Sequence, residues 1–454
     1  MNYQQIIIYS INDKIKISEL YIYIMSVVLP KEVAYDNMLP ALPSETTNTS
    51  VVLAPVSGSS FDQNALVQFD LPARGFLQPD SLYLRYKVSF THGASVSEIR
   101  GTPATSFFVK NETIFGSQIV ESIQNWGQLQ SMLFDCQLSG SQKAGLAPAL
   151  GYRNNATLAS VTTTNEVMNG RQAGTASTAE TFYVSVPFNN ILSSSDKLVP
   201  LCMMPNVRVQ LTTDAISNIM TSSGTIPSSY TLSNLELCFD MIDLGSNVED
   251  IIRNMGEKIY IKSQSFNSIG NTLASGVSGT SEIVFNTRLS SIKSLFTIFG
   301  GNSSANSVNK QYDSYDPTSS SGDLQYIVAG TPFPTRPIST SNNKSAFLIE
   351  LKQALGGIHS LSTNNFGFTL AQFLASGIDA TTTKAPARFI FGVNTERLPQ
   401  SNALLTGIST QNSAISLRIN NSTATTQSYS VQLIAMYDAL IEIDTVMRSA
   451  TVKQ

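Results

Sequence analysis

Apolar residues recur at every second position through both halves of this chain, with Ser, Thr, Asn and Gly filling the stretches between. The clearest case is 81–90. There Leu82, Leu84, Tyr86 and Val88 share one face, while Tyr83, Arg85 and Lys87 share the other. A period of two is the mark of a half-buried strand. In the first half, segments 66–72, 118–126, 181–187, 207–212 and 230–243 read the same way. In the second half they are 258–262, 282–286, 292–299, 324–329, 346–351, 387–393, 414–419 and 428–443. Segments 128–134 and 366–376 read as short helices. Two halves of about 200 residues each suit two sandwich domains, which reach that size when their loops are long. The expected class is therefore all-β, as two tandem antiparallel sandwiches with long loops and a few short helices.

Composition narrows what such a chain does. Hydrophobic residues make up 42% of it and the mean hydropathy is +0.03, enough to fill cores and too apolar for disorder. Only 13% of residues are charged and the net charge is −4, so no field draws the chain to nucleic acid. The nearest thing to a basic stretch, Lys14 and Lys16, is offset by Asp13 and Glu19. Three cysteines, Cys136, Cys202 and Cys238, stand far apart and are expected as packed thiols, not a disulfide framework.

The ends and the middle suggest an organisation. Apolar runs at 6–8 and 20–24 are broken by charges, so 6–28 lacks the uninterrupted apolar length of a membrane span. It also lacks the layout of a signal peptide. Residues 1–25 are expected to be a mobile arm or the product of an upstream start, with Met25 as an alternative start. Residues 26–60, rich in Pro, Ser and Thr, read as extended. Ser246 and Glu249 have capping-box spacing, Ile251, Ile252 and Met255 follow at helical intervals, and Gly256 is a stop. The expected division is an arm over 1–50, a first domain over 51–245, a linker helix over 246–256, a second domain over 257–445, and a tail over 446–454.

Catalytic vocabulary is sparse. His92 and His359 lie in different halves, without neighbouring Cys or His at ligand spacing. The chain has no Gly-x-Ser-x-Gly elbow and no phosphate-binding Gly-x4-Gly-Lys-Ser/Thr loop. Asp313, Asp316 and Asp323 depart from calcium-loop spacing and read as solvated loop acids. Asn-x-Ser/Thr triplets begin at Asn48, Asn111, Asn155, Asn302, Asn343, Asn420 and Asn421, as chance allows in so polar a chain. No catalytic, cofactor-binding or metal-ligating residue is assigned, no cofactor is expected, and the chain does not read as an enzyme.

Three segments carry a family resemblance. They are the strand pair from Val67–Pro72 to Tyr83–Val88, the junction 243–250, and 324–338, where a strand runs into Gly330 and then the spaced Pro332, Pro334 and Pro337. On these the chain resembles the double jelly-roll major capsid proteins of viruses, most like those of polinton-like viruses and virophages. The resemblance implies a homotrimer forming pseudo-hexameric capsomers in an icosahedral shell around double-stranded DNA. It also implies contacts with neighbouring capsomers, penton and minor capsid proteins, and a place in the virion after assembly inside the host cell. The prolines remove backbone donors, so 332–337 is expected to leave the ladder as a rigid connection. Loops 136–180 and 300–323 and the arm at 26–50 are the candidate contact regions. The alternative is a carbohydrate-binding fibre or adhesin-type sandwich, for which Phe107, Phe108, Tyr312 and Tyr315 are the only aromatic hints.

Overall fold

Two long strands, one in each half, organise the molecule. The computed structural model describes residues 46–453 apart from 92–96, 100–107, 117, 147–148, 150–172, 175–178, 205, 223–227, 255, 303–313, 320, 342, 357–365, 369–372, 374–386, 399–404 and 426. The first half holds β1 (Thr47–Leu53), β2 (Ser60–Phe61), β3 (Leu66–Asp70), β4 (Phe76–Leu77), β5 (Tyr83–Thr91), β6 (Ser97–Ile99), β7 (Phe108–Phe115), β8 (Ile119–Gln124), β9 (Ala173–Gly174), β10 (Ala179–Pro187), β11 (Val199–Pro200), β12 (Arg208–Thr213), β13 (Met220–Ser222) and β14 (Tyr230–Asp243). The second holds β15 (Lys258–Leu273), β16 (Gly279–Phe285), β17 (Ile292–Asn302), β18 (Gly322–Val328), β19 (Thr331–Ser339), β20 (Ile390–Asn394), β21 (Ile415–Asn421), β22 (Ser428–Asp444) and β23 (Ser449–Lys453).

The sheets of the two halves follow one plan. In the first half one sheet runs β10-β5-β14 with β1 on the far edge of β14, and the other runs β3-β12-β7-β8. In the second, one runs β20-β17-β22-β15 and the other β16-β21-β18-β19. Count the eight principal strands of each half in chain order. Both halves then give the sheet orders 1-8-3-6 and 2-7-4-5, with antiparallel pairing throughout. Eight antiparallel strands wound into two facing sheets make a jelly roll. A helix follows the fifth strand in each: Trp126–Gln137 after β8 and Lys344–Ala354 after β19.

The alternation seen in the sequence builds these cores. On β5, Leu84, Tyr86, Val88 and Phe90 are buried, and on β14 Tyr230, Leu232, Leu237 and Phe239 are buried. The last strands, β14 and β22, lie centrally in their sheets and are the longest in their halves, because neighbours on both edges satisfy their backbone groups.

Several expectations are corrected. Residues 346–351, read as a strand, lie inside the helix Lys344–Ala354. Its residues are mostly strong helix formers, and that preference outweighs a short apolar run whose period is ambiguous. The proline segment does not leave the ladder: β19 is an edge strand paired with β18 at Thr331, Pro332 and Phe333 and again at Ile338 and Ser339. Between these it bulges, and Gln325 Nε2 donates to the Pro334 carbonyl at 2.8 Å. An edge position tolerates missing donors. Strand β1 begins at Thr47, within the expected arm, and β23 occupies most of the expected tail by pairing with Leu440–Asp444 of β22. The junction helix is Ser246–Asn254, with the Gly245 carbonyl accepting from the amides of Val248 and Glu249. The described part of 136–180 includes a helix, Gly140–Leu146. The expected helix at 366–376 falls largely outside the described residues; of those described there, Phe366, Phe368 and Phe373 stack their rings in turn.

Candidate functional site, the seam between the two rolls

The helix Trp126–Gln137 is buried from Trp126 to Cys136. A surface helix would show a polar face, so burial on all sides requires a second body against it. Towards its own roll, the Trp126 and Phe188 rings lie 5.2 Å apart, and Trp126 Nε1 and Gln130 Nε2 both donate to the Asn189 carbonyl. Towards the other roll, Gln128, Ser131, Met132 and Asp135 meet Ile298, Ser314, Arg388 and Ile390 around a void of about 10 Å³.

A buried ion pair crosses this contact. Arg388 Nε lies 2.5 Å from Asp135 Oδ2, with both side chains 5% exposed. Asp135 stands in the last turn of its helix, where the dipole disfavours a negative charge. The guanidinium from the second roll compensates, and the Gly367 amide reaches back to the Asp135 carbonyl at 2.7 Å.

A second polar cluster lies where β8 meets β15. Ser265 Oγ of β15 donates to Glu121 Oε1 of β8, and the Ile191 amide donates to Glu121 Oε2 at 3.0 Å. Ser263 Oγ donates to the Ile191 carbonyl at 2.5 Å, and the Asp196 amide to the Lys262 carbonyl at 3.0 Å. Burial pushes the Glu121 pKa up to about 7, against the pull of its two hydrogen bonds. Burial, then the nearby Glu121, raises the Tyr437 hydroxyl well above its ordinary value. Beside this cluster Gly116 approaches Ala450 of β23, and a Cβ there would stand 3.7 Å from the Ala450 carbonyl oxygen. The seam thus joins the rolls through hydrophobic packing, one buried ion pair and one enclosed carboxyl.

Other charges are used inside the rolls. Lys293 Nζ lies 3.4 Å from Glu396 and 3.8 Å from Asp438, whose other oxygen accepts from Ser291 Oγ and the Thr406 amide. Asp316 is fully buried, accepts from the Thr318 amide and hydroxyl, and lies 3.5 Å from Lys344 Nζ. It is therefore not a solvated loop acid. Its carboxylate closes a turn and pairs with the first residue of the helix Lys344–Ala354. Asp323 is half-buried on β18, and Asp313 lies outside the described residues.

The remaining candidates fall as follows. Cys136, Cys202 and Cys238 are buried and form no disulfide. Burial pushes the Cys202 thiol up to about 11, which makes it a poor nucleophile. His92, His359, Phe107 and Tyr312 lie outside the described residues, and Tyr315 is buried. Among the described residues no three His, Cys, Asp or Glu side chains are grouped to hold a metal ion, and no helix is long and apolar enough to cross a membrane. Sequence reasoning missed Glu121, Asp135 and Arg388. A charged residue amid apolar neighbours on β8, in Ile119-Val-Glu-Ser-Ile, was the available signal for Glu121.

No family model matches this sequence, and no curated protein matches it. Two rolls of one strand order, in tandem over a buried seam, define the double jelly-roll class of fold. Solved structures agree over nearly the whole chain. The Faustovirus major capsid protein superposes with a TM-score of 0.61 at 7% identity, covering 90% of this chain and 92% of that one. The PBCV-1 protein VP54, in a structure fitted into a cryo-EM reconstruction of the virophage Sputnik, gives 0.59 at 10% identity, covering 92% and 99%. The mavirus major capsid protein gives 0.50 at 11% identity, covering 96% and 94%. At such identities the likeness is one of fold, and it takes in both rolls.

Proposed function

We propose that this chain is the major capsid protein of a double-stranded DNA virus related to virophages and polinton-like viruses, and that its work is assembly in the virion shell. The observation that carries this reading is the likeness to viral major capsid proteins across 90% or more of this chain and of each of theirs. The seam supports it independently. A tile built from two rolls needs a contact specific to the pair, and the enclosed helix with its cross-roll ion pair supplies one. Two rolls, 51–245 and 257–445, joined by the helix at the junction, make a wedge. Three wedges make a pseudo-hexameric capsomer, since rotationally closed contacts end in rings. The arm at 26–50, the loops 136–180 and 300–323, and exposed apolar groups such as Tyr183, Val446 and Met447 are the surfaces for neighbouring capsomers, penton and minor capsid proteins. On this reading the chain is not an enzyme, needs no cofactor, and does not read nucleic-acid sequence.

The test is light scattering on the purified chain, then negative-stain microscopy of the same sample. A mass about three times the 49.1 kDa chain, with near-hexagonal outlines or shells, is the expected outcome. A monomer that never assembles would overturn the reading and return weight to a glycan-binding fibre protein.

A further inference from the structure

Where the rolls meet along β8, β15 and β23, one ionisable group is enclosed without an opposite charge. Glu121 is 1% exposed. It stands at a bulge: Glu121 pairs with Ile114 and Ile119 with Phe115, which leaves Val120 as the extra residue. A bulge re-aims side chains, and here both Val120 and Glu121 are buried. From β15, Ser263 and Ser265 face the carboxyl, while Lys258, Tyr260, Lys262 and Gln264 alternate to the other face. From β22, Tyr437, Ala439 and Ile441 share that inner face, and Asp438 and Glu442 lie on the other. From β23 come Ala450 and Val452, while Lys453 is bound to Glu442 on the outer face. The turn carrying the Ile191 amide exposes Asp196 and Lys197 to solvent, and Asp135 of the neighbouring helix is held by Arg388. Among the described residues, Tyr437 is the one other titratable group that faces Glu121.

We propose that Glu121 makes the seam a proton-linked joint, closed while the carboxyl is neutral and loosened when it ionises. The two donors favour the ionised carboxyl, but burying a carboxylate without a cation costs more than they return, and the neutral form can turn its own O–H to the Ser265 hydroxyl as acceptor. The ionised form therefore favours states in which β8 parts from β15 and water reaches the carboxylate. The pKa of about 7, raised from 4.5 by burial, sets the window. Between those values the closed state binds more protons than the open one, so stability falls as pH rises. Above neutrality the opening constant should be larger by about two orders of magnitude than below pH 4.5. This inference stands on the seam and holds whatever the chain assembles into.

The test compares the full chain with Glu121→Gln, which keeps an acceptor and cannot ionise. Trp126 is the single tryptophan and lies in the seam helix, so its quenching by acrylamide reports local opening. Between pH 5 and pH 8.5 the wild type should become more quenchable, and less stable to urea relative to the variant by about two orders of magnitude in equilibrium constant. Glu121→Gln should show neither trend. Infrared spectroscopy of the wild type should show a protonated-carboxyl band lost with a midpoint near 7. Ser265→Ala, which removes a donor to the carboxylate, should shift that midpoint upward. Parallel stability curves for wild type and Glu121→Gln would overturn the proposal. If that variant does not fold, a wild-type band lost below pH 5, or unmoved in Ser265→Ala, would do so instead.

Discussion

At the scale of single residues, the seam is held by groups whose partners are far away in sequence. Asp135 and Arg388 are joined at 2.5 Å with both side chains almost fully buried. The attraction between such charges is largely spent on their desolvation, so the pair is a poor source of net stability but a costly thing to break. Replacing Arg388 by Ala would strand a buried carboxylate, and chemical denaturation should register a loss of about 3–5 kcal/mol. The double change Asp135→Leu with Arg388→Met should recover most of that loss, because two apolar side chains of similar size suit a dry contact. A double mutant no more stable than Arg388→Ala would mean the pair does more than hold charge. Neither residue was legible beforehand. Local pattern tells which face of a strand or helix is apolar, but not which distant charge a buried acid will meet. The three cysteines were read correctly as packed thiols because burial of a small apolar group needs no particular partner.

At the scale of elements, periodicity served best where one face of a strand meets a core and the other meets water. The strand expected at 230–243 is β14, Tyr230–Asp243, because its alternation is long and bounded by turns. The misreading at 346–351 has the opposite cause. Phe347 and Leu351 are buried on one side of a helix, and a six-residue window holds too little to separate that period from a strand. The prolines of β19 were recognised as ladder-breaking, but the edge position that accommodates them depends on sheet order, which no local pattern carries. That position has a consequence. β19 is the outermost strand of its sheet, and an edge with its donors intact is a template for pairing with other chains. Replacing Pro332 and Pro337 by Val should leave the fold in place and increase concentration-dependent association, read as a rise in scattered light on storage. Unchanged scattering would mean that the outer edge of β19 is already covered.

At the scale of the whole molecule, the doubling is carried by topology, not by residues. The closing strands β14 and β22 resemble each other only weakly in sequence, yet each sits in the eighth place of an identical strand order, with a helix after the fifth strand in both halves. A strand order tolerates many sequences, because the ladders are made by backbone groups that every residue but proline carries in full. The two copies have nevertheless become dependent on each other. The helix Trp126–Gln137 belongs to the first roll by chain but is enclosed only when the second roll covers Met132 and Asp135. The second roll's Arg388 likewise pairs with a carboxylate of the first. Each roll alone would expose a contiguous apolar surface and a stranded charge, the conditions under which a domain aggregates. Residues 43–245 and 257–454 produced as separate chains should therefore be poorly soluble singly and recovered together, one to one, when produced in the same cell. A tag on either half should pull down the other, and Arg388→Ala in the second half should weaken that capture. Two soluble, mutually indifferent halves would mean that the seam is a contact of convenience and that the tandem chain, not the buried interface, holds the rolls together.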